Sequence, residues 1–460
     1  MKMKLAEIAK AINAQNDIEQ WADVEVTSVS FDSRHLAEGC LFIPLQGAQD
    51  GHQYVPSAFT NGAAASLWAS DHDITDHTHP LLVVNDPLKA LQQLGKYYLH
   101  KINPIVVAVT GSNGKTTTKD MIASILSTQF NVTKTYANFN NEIGVPVTLL
   151  NMEANTEVVV VEMGMDRFGQ LDFLSKLVNP DIAVITMIGE AHIEFFGSRD
   201  KIADAKMEIT HGLKEDGTLV FDGDEPLLEE RVTDLPQEQL RFGRQLSNDI
   251  YATSVNDAPR KIGFTVNEWP DVKFTIPMVG EYNVNNALAA MGVGKLLHIT
   301  PLHMKQALAN VELTENRAEW VAGKKGEQIL SDVYNSNPTA AKEVLKTVAA
   351  TPTDGKRIVV LGDMLELGDA APRLHASLAT EIDPATINAV YLVGDQMKYL
   401  QDKLIQEGYP QEAIHHYGTD QLAQLTADLD AVLTADDLLL LKASHGIHLE
   451  QVLAALKAED

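Results

Sequence analysis

VAVTGSNGKTTTKDM, residues 107–121, decides how the rest of the chain is read. An apolar run ends in a glycine-rich turn, and a lysine and three threonines follow. Between a strand and a helix, Gly111 and Gly114 let backbone N–H groups face an anion, and the helix N-terminus adds its dipole. Lys115 would reach the β- and γ-phosphates of a nucleotide, and the Thr116 hydroxyl would hold Mg²⁺. The general phosphate-loop pattern puts a glycine five residues before Gly114, where Val109 stands. The loop is thus a shortened variant, running through Gly111, Ser112, Asn113, Gly114, Lys115, Thr116 and Thr117. So short a string also occurs by chance; its strand–helix setting is what argues for phosphate.

On both sides of this loop, strands and helices alternate. PIVVAVT (104–110), EVVVVEMG (157–164) and PDIAVITMI (180–188) are apolar throughout, as parallel strands covered on both faces are. GTLVFDGDEP (217–226) reads as another strand, and helices follow over 284–297 and 299–311. A second βαβ series opens near Leu313, with strands at 328–334, 357–363, 389–395 and 437–444. Residues 1–100 read as a smaller unit, with short strands at 24–31, 40–44 and 81–86 and a helix over 87–100. Asn103-Pro104 reads as a linker. The expectation is an α/β protein of three domains: a small N-terminal α/β domain over 1–102, a central P-loop ATPase-like parallel-sheet domain over 103–312, and a C-terminal Rossmann-like domain over 313–460.

The bulk composition narrows the function classes. The 36 Lys and Arg against 63 Asp and Glu give a net charge of −27. Such a chain repels nucleic acid and anionic membranes, so an anionic ligand must be held locally, by N–H groups or through metal. The acidity also reads as solubility alone. Cys40 is the single cysteine, which excludes an intrachain disulfide and fits a reducing compartment. MKMKLAEIAKAINAQ at the start reads as an amphipathic helix rather than a signal peptide, and no run is long enough to span a bilayer. The expectation is a cytoplasmic protein with no stable membrane association and no nucleic-acid partner.

A Mg²⁺-nucleotide site needs further ligands at the C-terminal ends of neighbouring strands. Glu162 ends one such strand, and a carboxylate there is costly to bury unless it meets a cation; a solvated strand end is the alternative. His192 follows the 180–188 strand by a short turn, as a ligand or as a structural histidine.

VAVTGSNGKTTTKDM, YANFNNEIGVPVTLL (136–150), VVVEMGMDRFGQLDFL (159–174), IAVITMIGEAHIEFFGS (182–198) and IADAKMEIT (202–210) together resemble the Mur ligase family. These are ATP-dependent amide-bond ligases that build the peptide of bacterial cell-wall precursors. The resemblance is greatest to the member that adds D-alanyl-D-alanine to UDP-N-acetylmuramoyl-tripeptide, and it covers nearly the whole chain. It implies ATP and two Mg²⁺ ions, those two substrates, an acyl-phosphate intermediate and closure of the C-terminal domain over the nucleotide. It implies Lys115 and Thr116 as phosphate and Mg²⁺ contacts, Glu162 and His192 as metal ligands, and Lys206 as a carbamylated lysine holding the second ion. Without the resemblance, Lys206 reads as an exposed helix lysine. A lysine of lowered pKa can add CO₂ and become an anionic oxygen ligand.

GEYNVNNALAAMGVG (280–294) resembles the family's H-N-x-x-N nucleotide-base motif, with Tyr282 in place of the histidine and Asn283 and Asn286 retained. Two helix-capping asparagines are the alternative. By the same resemblance Arg317 and Asp332 contact the nucleotide. Asn140, Asn141, Tyr334, Asn335, Asn337 and Lys442 contact substrate, as do Asp32, Ser33, Arg34 and Gly47 of the N-terminal domain, which the resemblance makes a uridine-diphosphate-binding domain. LGDMLELGDAAPRLH (361–375) matches that member's stretch at Asp363, Glu366 and His375, or is a strand-end turn feeding a helix. KASHGIHLE (442–450) departs from the expected K-G-S-R-G: Ala443 and His445 replace Gly and Arg.

The sister ligase that adds the third amino acid is the nearest alternative, but N-S-N-P stands where its D-N-P-R-type signature belongs. A P-loop motor or switch would leave Asn283, Asn286 and the third domain unexplained. A silent binding module would require Lys115, Glu162 or Lys206 to be broken, and all three are intact. Monomer is the expected state.

Overall fold

The valine-rich runs form strands because each face of each strand meets a different apolar layer. The computed structural model describes residues 1–74, 78–258, 260–312, 314 and 318–458. Val106, Ala108, Val159 and Val161 face one core, and Val107, Val109, Val158 and Val160 face another. The strands Val132–Lys134, Val158–Glu162, Ile105–Thr110, Ile182–Ile185, Thr218–Asp222, Glu238–Gly243 and Ile250–Ala258 lie side by side in that order, all parallel. Lys261–Val266 and Trp269–Ile276 extend the sheet as an antiparallel meander. The helices Lys115–Leu126 and Tyr282–Leu296 cover the second face with Met121, Ile122, Leu288 and Met291.

The N-terminal unit is a four-stranded parallel sheet: Ser28–Ser30, Cys40–Phe42, Ala63–Ala69 and Leu81–Val84. It shares the first core with the central sheet, through Leu91, Leu94 and Tyr98 of the helix Pro87–Ile102. The Tyr98 hydroxyl donates to Met152 O at 3.0 Å across this junction. Asn103 ends that helix in the left-handed conformation (φ 54°) and turns the chain straight into Ile105–Thr110. The C-terminal sheet runs Glu319–Ala322, Gln328–Asp332, Leu438–Lys442, Arg357–Gly362, Ala389–Val393 and Ile414–Tyr417, parallel except for the first strand. Among the described residues no helix is long and apolar enough to cross a membrane.

The apolar runs at 104–110, 157–164, 180–188 and 217–226 and the four in the C-terminal region are strands, as the sequence indicates. Three details differ. The opening stretch is not one helix: Met3–Lys4 pairs antiparallel with Glu25–Val26, and the helix is Leu5–Ala11. The 24–31 run divides at Thr27 between two sheets. The meander over 250–276 alternates buried and open positions instead of being apolar throughout, a weaker signal in a single sequence.

Gly212 sits where two segments of the central unit touch. A β-carbon there would lie 2.3 Å from the backbone C and O of Ser175. The Gly212 N–H also donates to Ser175 Oγ at 2.9 Å, and Asn179 Nδ2 donates to Gly212 O at 2.7 Å. Gly212→Ala is expected to cost about 1–3 kcal/mol. It should lower the urea midpoint of the central unit with little change in slope.

Candidate functional site

The turn after Ile105–Thr110 is held by close packing. Gly114 occupies the N-cap of Lys115–Leu126 with φ 80°, and a β-carbon there would stand 2.3 Å from Asn286 Oδ1. At Gly111 it would stand 1.8 Å from Thr186 Oγ1. Thr186 donates to Asn113 O at 2.5 Å, and the Ser112 N–H donates to Met187 O at 2.9 Å. Lys115 Nζ donates to Gly111 O at 2.9 Å, so its ammonium curls over the loop it would serve. Thr186, which the sequence reading passed over, is a hydroxyl residue just past the end of Ile182–Ile185; that placement is its signal.

A cavity of about 560 Å³ opens beside this loop. Ser112, Asn113, Gly114, Lys115 and Thr116 line it, with Asn140, Asn141, Glu162 and His192 and, from the C-terminal unit, Tyr334 and Asn335. Glu162 is buried at 1% exposure. Its Oε1 accepts from Asn140 Nδ2 at 2.9 Å, while Oε2 has no hydrogen-bond partner among the described residues. Lys119, one turn after Lys115, places Nζ 3.8 Å from that Oε2 and 3.5 Å from Asp120 Oδ1. A buried carboxylate oxygen without a hydrogen-bond partner, lining one cavity with the Thr116 hydroxyl and the His192 imidazole, is a donor set that suits Mg²⁺.

Lys206 lies in the last turn of Arg199–Met207 and is 2% exposed, so the exposed-lysine reading does not hold. Burial, then the neighbouring Lys115 charge, pushes its pKa well below the ordinary lysine value. A lowered pKa favours the neutral amine, which is the nucleophilic form that adds CO₂.

A second cavity of about 280 Å³ adjoins the loop on its other side, lined by Gly114, Thr117, Asp222, Tyr282, Asn283, Asn286 and Asp332 among others. The two asparagines are not caps. Asn283 Nδ2 donates to Val279 O at 2.8 Å, Asn286 Nδ2 donates to Asn283 Oδ1 at 2.9 Å, and Thr118 Oγ1 donates to Asn286 Oδ1 at 3.3 Å. They tie the Tyr282–Leu296 helix to the phosphate-loop helix. Burial raises the Tyr282 phenol pKa, with Asp332 adding to the effect. Lys442 lines this cavity, donating to Asp332 Oδ2 at 2.6 Å and to Asn335 O at 2.9 Å. Arg317 falls outside the described residues.

Asp32, Ser33 and Arg34 line neither cavity. Arg34 grips Asp32 in a two-bond fork of 2.9 and 2.7 Å, which holds the Asp32 carboxyl well below the usual range. Phe31 lies 6.0 Å, ring to ring, from Phe139, so this turn flanks Asn140 and Asn141. Gly47 lies on the adjoining loop. Asp50 there accepts from the His52 N–H at 3.0 Å and contacts His52 Nδ1 at 2.7 Å, while His52 Nε2 accepts from the Ala69 N–H at 3.0 Å. Both ring nitrogens are therefore spent on holding the loop. Asp363 and His375 are likewise structural: Asp363 accepts from the Met397 N–H at 3.0 Å, and His375 Nε2 accepts from the Met364 N–H at 2.9 Å.

Polar contacts cross from the central to the C-terminal unit at several points, among them the Glu194 N–H donating to Glu366 O at 3.1 Å. Asn113 and Asn337 exchange amide hydrogen bonds of 3.1 and 2.6 Å. The Thr339 hydroxyl donates to Glu190 Oε2 at 2.5 Å. His192 Nδ1 stands 2.5 Å from Glu366 Oε2, an ion-pair contact that lies off the hydrogen-bond direction of the ring.

Fold and site define a phosphate-loop α/β protein whose site is completed by a second, Rossmann-like sheet. Residues 109–294 match the family model of the Mur ligase middle domain, and 316–445 match that of the Mur ligase glutamate ligase domain. The UDP-N-acetylmuramoyl-tripeptide–D-alanyl-D-alanine ligase of Bacillus subtilis (strain 168) is 39% identical, covering 99% of this chain and 98% of its own. That of Escherichia coli (strain K12) is 33% identical over 82% and 83%. Among solved structures, MurF from Acinetobacter baumannii superposes with a TM-score of 0.87 at 27% identity, covering 99% and 98%. MurF ligase from Thermotoga maritima in complex with ADP gives 0.79 at 28% identity, covering 94% and 97%. The chain belongs to the Mur ligase family.

Asp222 lines the second cavity at 9% exposure, and burial lifts its pKa from 3.8 to about 7. The folded chain therefore keeps this proton over a range in which the unfolded chain has released it. Stability present below the unfolded pKa is lost as pH rises through about 7. Between pH 5 and pH 8 the loss is roughly 3 kcal/mol. Asp222→Asn should remove this component, so that its urea midpoint falls less than the wild type's between those two pH values.

Proposed function

We propose that this chain joins D-alanyl-D-alanine to UDP-N-acetylmuramoyl-tripeptide with cleavage of ATP to ADP and phosphate. The observation that carries this reading is a single cavity. It brings the phosphate loop, Glu162 and His192 of one unit against Tyr334 and Asn335 of another. Full-length similarity to ligases named for this reaction supports it. The domains are 1–102 for the UDP end of the substrate, 103–312 for ATP and 313–460 for the dipeptide. The left-handed Asn103 at the first junction and the change of sheet at the second support these limits.

The loop N–H groups and Lys115 hold the triphosphate, and its adenosine lies toward Asn283, Asn286 and Asp332 in the second cavity. The free carboxylate ending the tripeptide attacks the γ-phosphorus. An O–P bond forms, the bond to the β-phosphate oxygen breaks, and ADP leaves. Lys115 offsets charge on the oxygens in flight. The acyl phosphate is a far better electrophile than the carboxylate. The dipeptide amine, having lost a proton, attacks its carbonyl carbon, and phosphate leaves from the tetrahedral intermediate.

Thr116, Glu162, His192 and a carbamylated Lys206 would hold Mg²⁺, which supplies charge neutralisation for the transferring phosphoryl group. Carbamylation joins the neutral Lys206 Nζ to the carbon of CO₂ with loss of one proton, and its oxygens replace a buried amine with an anion. Asn140 fixes Glu162, so it serves the metal ligand as well as substrate. His445 stacks 6.0 Å from Tyr334 and offers its ring to the dipeptide carboxylate.

Phosphate release is to be measured with Mg²⁺, ATP, UDP-N-acetylmuramoyl-tripeptide and D-alanyl-D-alanine, omitting one component at a time. Release should need all of them and yield the pentapeptide by mass. Release from ATP alone would overturn the function, and release with a single amino acid would point to the sister ligase. Lys206→Ala should cut turnover at least 100-fold; wild-type rates in that variant would remove the carbamate from the mechanism.

A further inference from the structure

His192 and Glu366 meet across the boundary between the central and C-terminal units, and both have unusual backbones. His192 has φ 63° and Glu366 has φ 61°, left-handed values at residues other than glycine. Such conformations persist where the surroundings over-determine them, and they gather at functional sites. Here the surroundings are explicit. The Glu194 N–H donates to Glu366 O at 3.1 Å, which fixes one left-handed turn against the other. Two residues on, Gly368 has φ 51°, and a β-carbon there would lie a tight 3.1 Å from Glu194 Cγ. The outcome of this backbone docking is one side-chain contact, 2.5 Å from His192 Nδ1 to Glu366 Oε2.

We infer that Glu366 is a positioning residue for His192, supplied by the C-terminal unit. A carboxylate 2.5 Å from Nδ1, even off the ring's hydrogen-bond direction, attracts positive charge to that edge of the imidazole and restricts its rotation, which turns Nε2 toward the cavity as the ligand atom. The other side chains of the 361–375 stretch do not share this role: Asp363 and His375 hold their own turn. Glu366 is exposed and has no comparable structural duty. Its carboxylate therefore makes the metal end of the site depend on how the C-terminal unit is docked. The inference rests on reading His192 as a metal ligand.

The test measures Mn²⁺ binding to the full chain with ADP, by electron paramagnetic resonance. Wild type, Glu366→Gln, His192→Ala and the double variant are compared. Glu366→Gln preserves shape and size, and removing an orienting partner of this kind should weaken Mn²⁺ binding about 10–100-fold. The thermal midpoint of the nucleotide-free chain should not change, and Glu366→Asp should recover part of the affinity. Because Glu366 acts through His192, Glu366→Gln should add nothing in the His192→Ala background. Unchanged affinity in Glu366→Gln, or a full additional loss in the double variant, would overturn the inference. If His192→Ala itself leaves Mn²⁺ binding unchanged, the ligand reading falls, and this inference with it.

Discussion

A β-carbon at Gly111 would stand 1.8 Å from the Thr186 hydroxyl oxygen, and at Gly114 it would stand 2.3 Å from Asn286 Oδ1. The loop is thus pressed between the Ile182–Ile185 strand end on one side and the Tyr282–Leu296 helix on the other. A chain with a net charge of −27 has no long-range attraction to offer a triphosphate. What it can offer is a fixed set of N–H groups at close range, and those are useful only if the backbone cannot relax. The buried Thr118–Asn286–Asn283 chain of hydrogen bonds supplies that rigidity from below. Polar side chains at 1% and 7% exposure in a helix otherwise packed with alanine and leucine are there for this purpose.

The phosphate-loop helix also organises charge behind the cavity. Lys119 is buried between Asp120 and Glu162, and burial lowers its pKa. Asp120 takes Lys134 at 2.6 Å and both the N–H and hydroxyl of Thr314 at 2.9 Å. Thr314 lies at the passage into the C-terminal sheet. One helix therefore carries Lys115 at its start, a cation against the carboxylate of Glu162 one turn later, and the anchor of the inter-domain connection beside that.

The fold was largely legible because central parallel strands are apolar on both faces, a pattern a single sequence displays openly. Strands with one open face, such as Lys261–Val266, lack that excess and were passed over. Of the site, the turn from Gly111 to Thr116 was legible as a close-packed strand-to-helix loop, because its glycines and lysine follow an apolar strand directly. Glu162 was legible as a costly strand-end carboxylate. Lys206 was not, because a lysine in IADAKMEI looks solvated until tertiary packing buries it. Lys119 had a faint signal in its spacing of four from Lys115, which places both on one helix face. The partner of Lys442 could not be read at all: Asp332 is 110 positions away and meets it through the pairing of two parallel strands.

The two domain junctions are built from different materials, and this bears on motion. The N-terminal unit shares a continuous apolar core with the central sheet, so separating them would expose Leu91, Leu94 and Tyr98 at about 1.5–3 kcal/mol each. To the C-terminal core, the central unit adds Val279 and Ile193. The polar contacts there include the Asn113–Asn337, Thr339–Glu190, His192–Glu366 and Asp120–Thr314 pairs and the bond from the Glu194 N–H to Glu366 O. Water can replace such polar pairs, each worth about 0.5–1.5 kcal/mol net. The cheaper junction is thus the C-terminal one, and it is the one that borders the loop, through Asn113 and Asn337. An enzyme that takes three substrates needs one rigid wall to hold the first and one movable wall to admit and then enclose the others. By their energetics, the apolar junction is suited to the first task and the polar junction to the second.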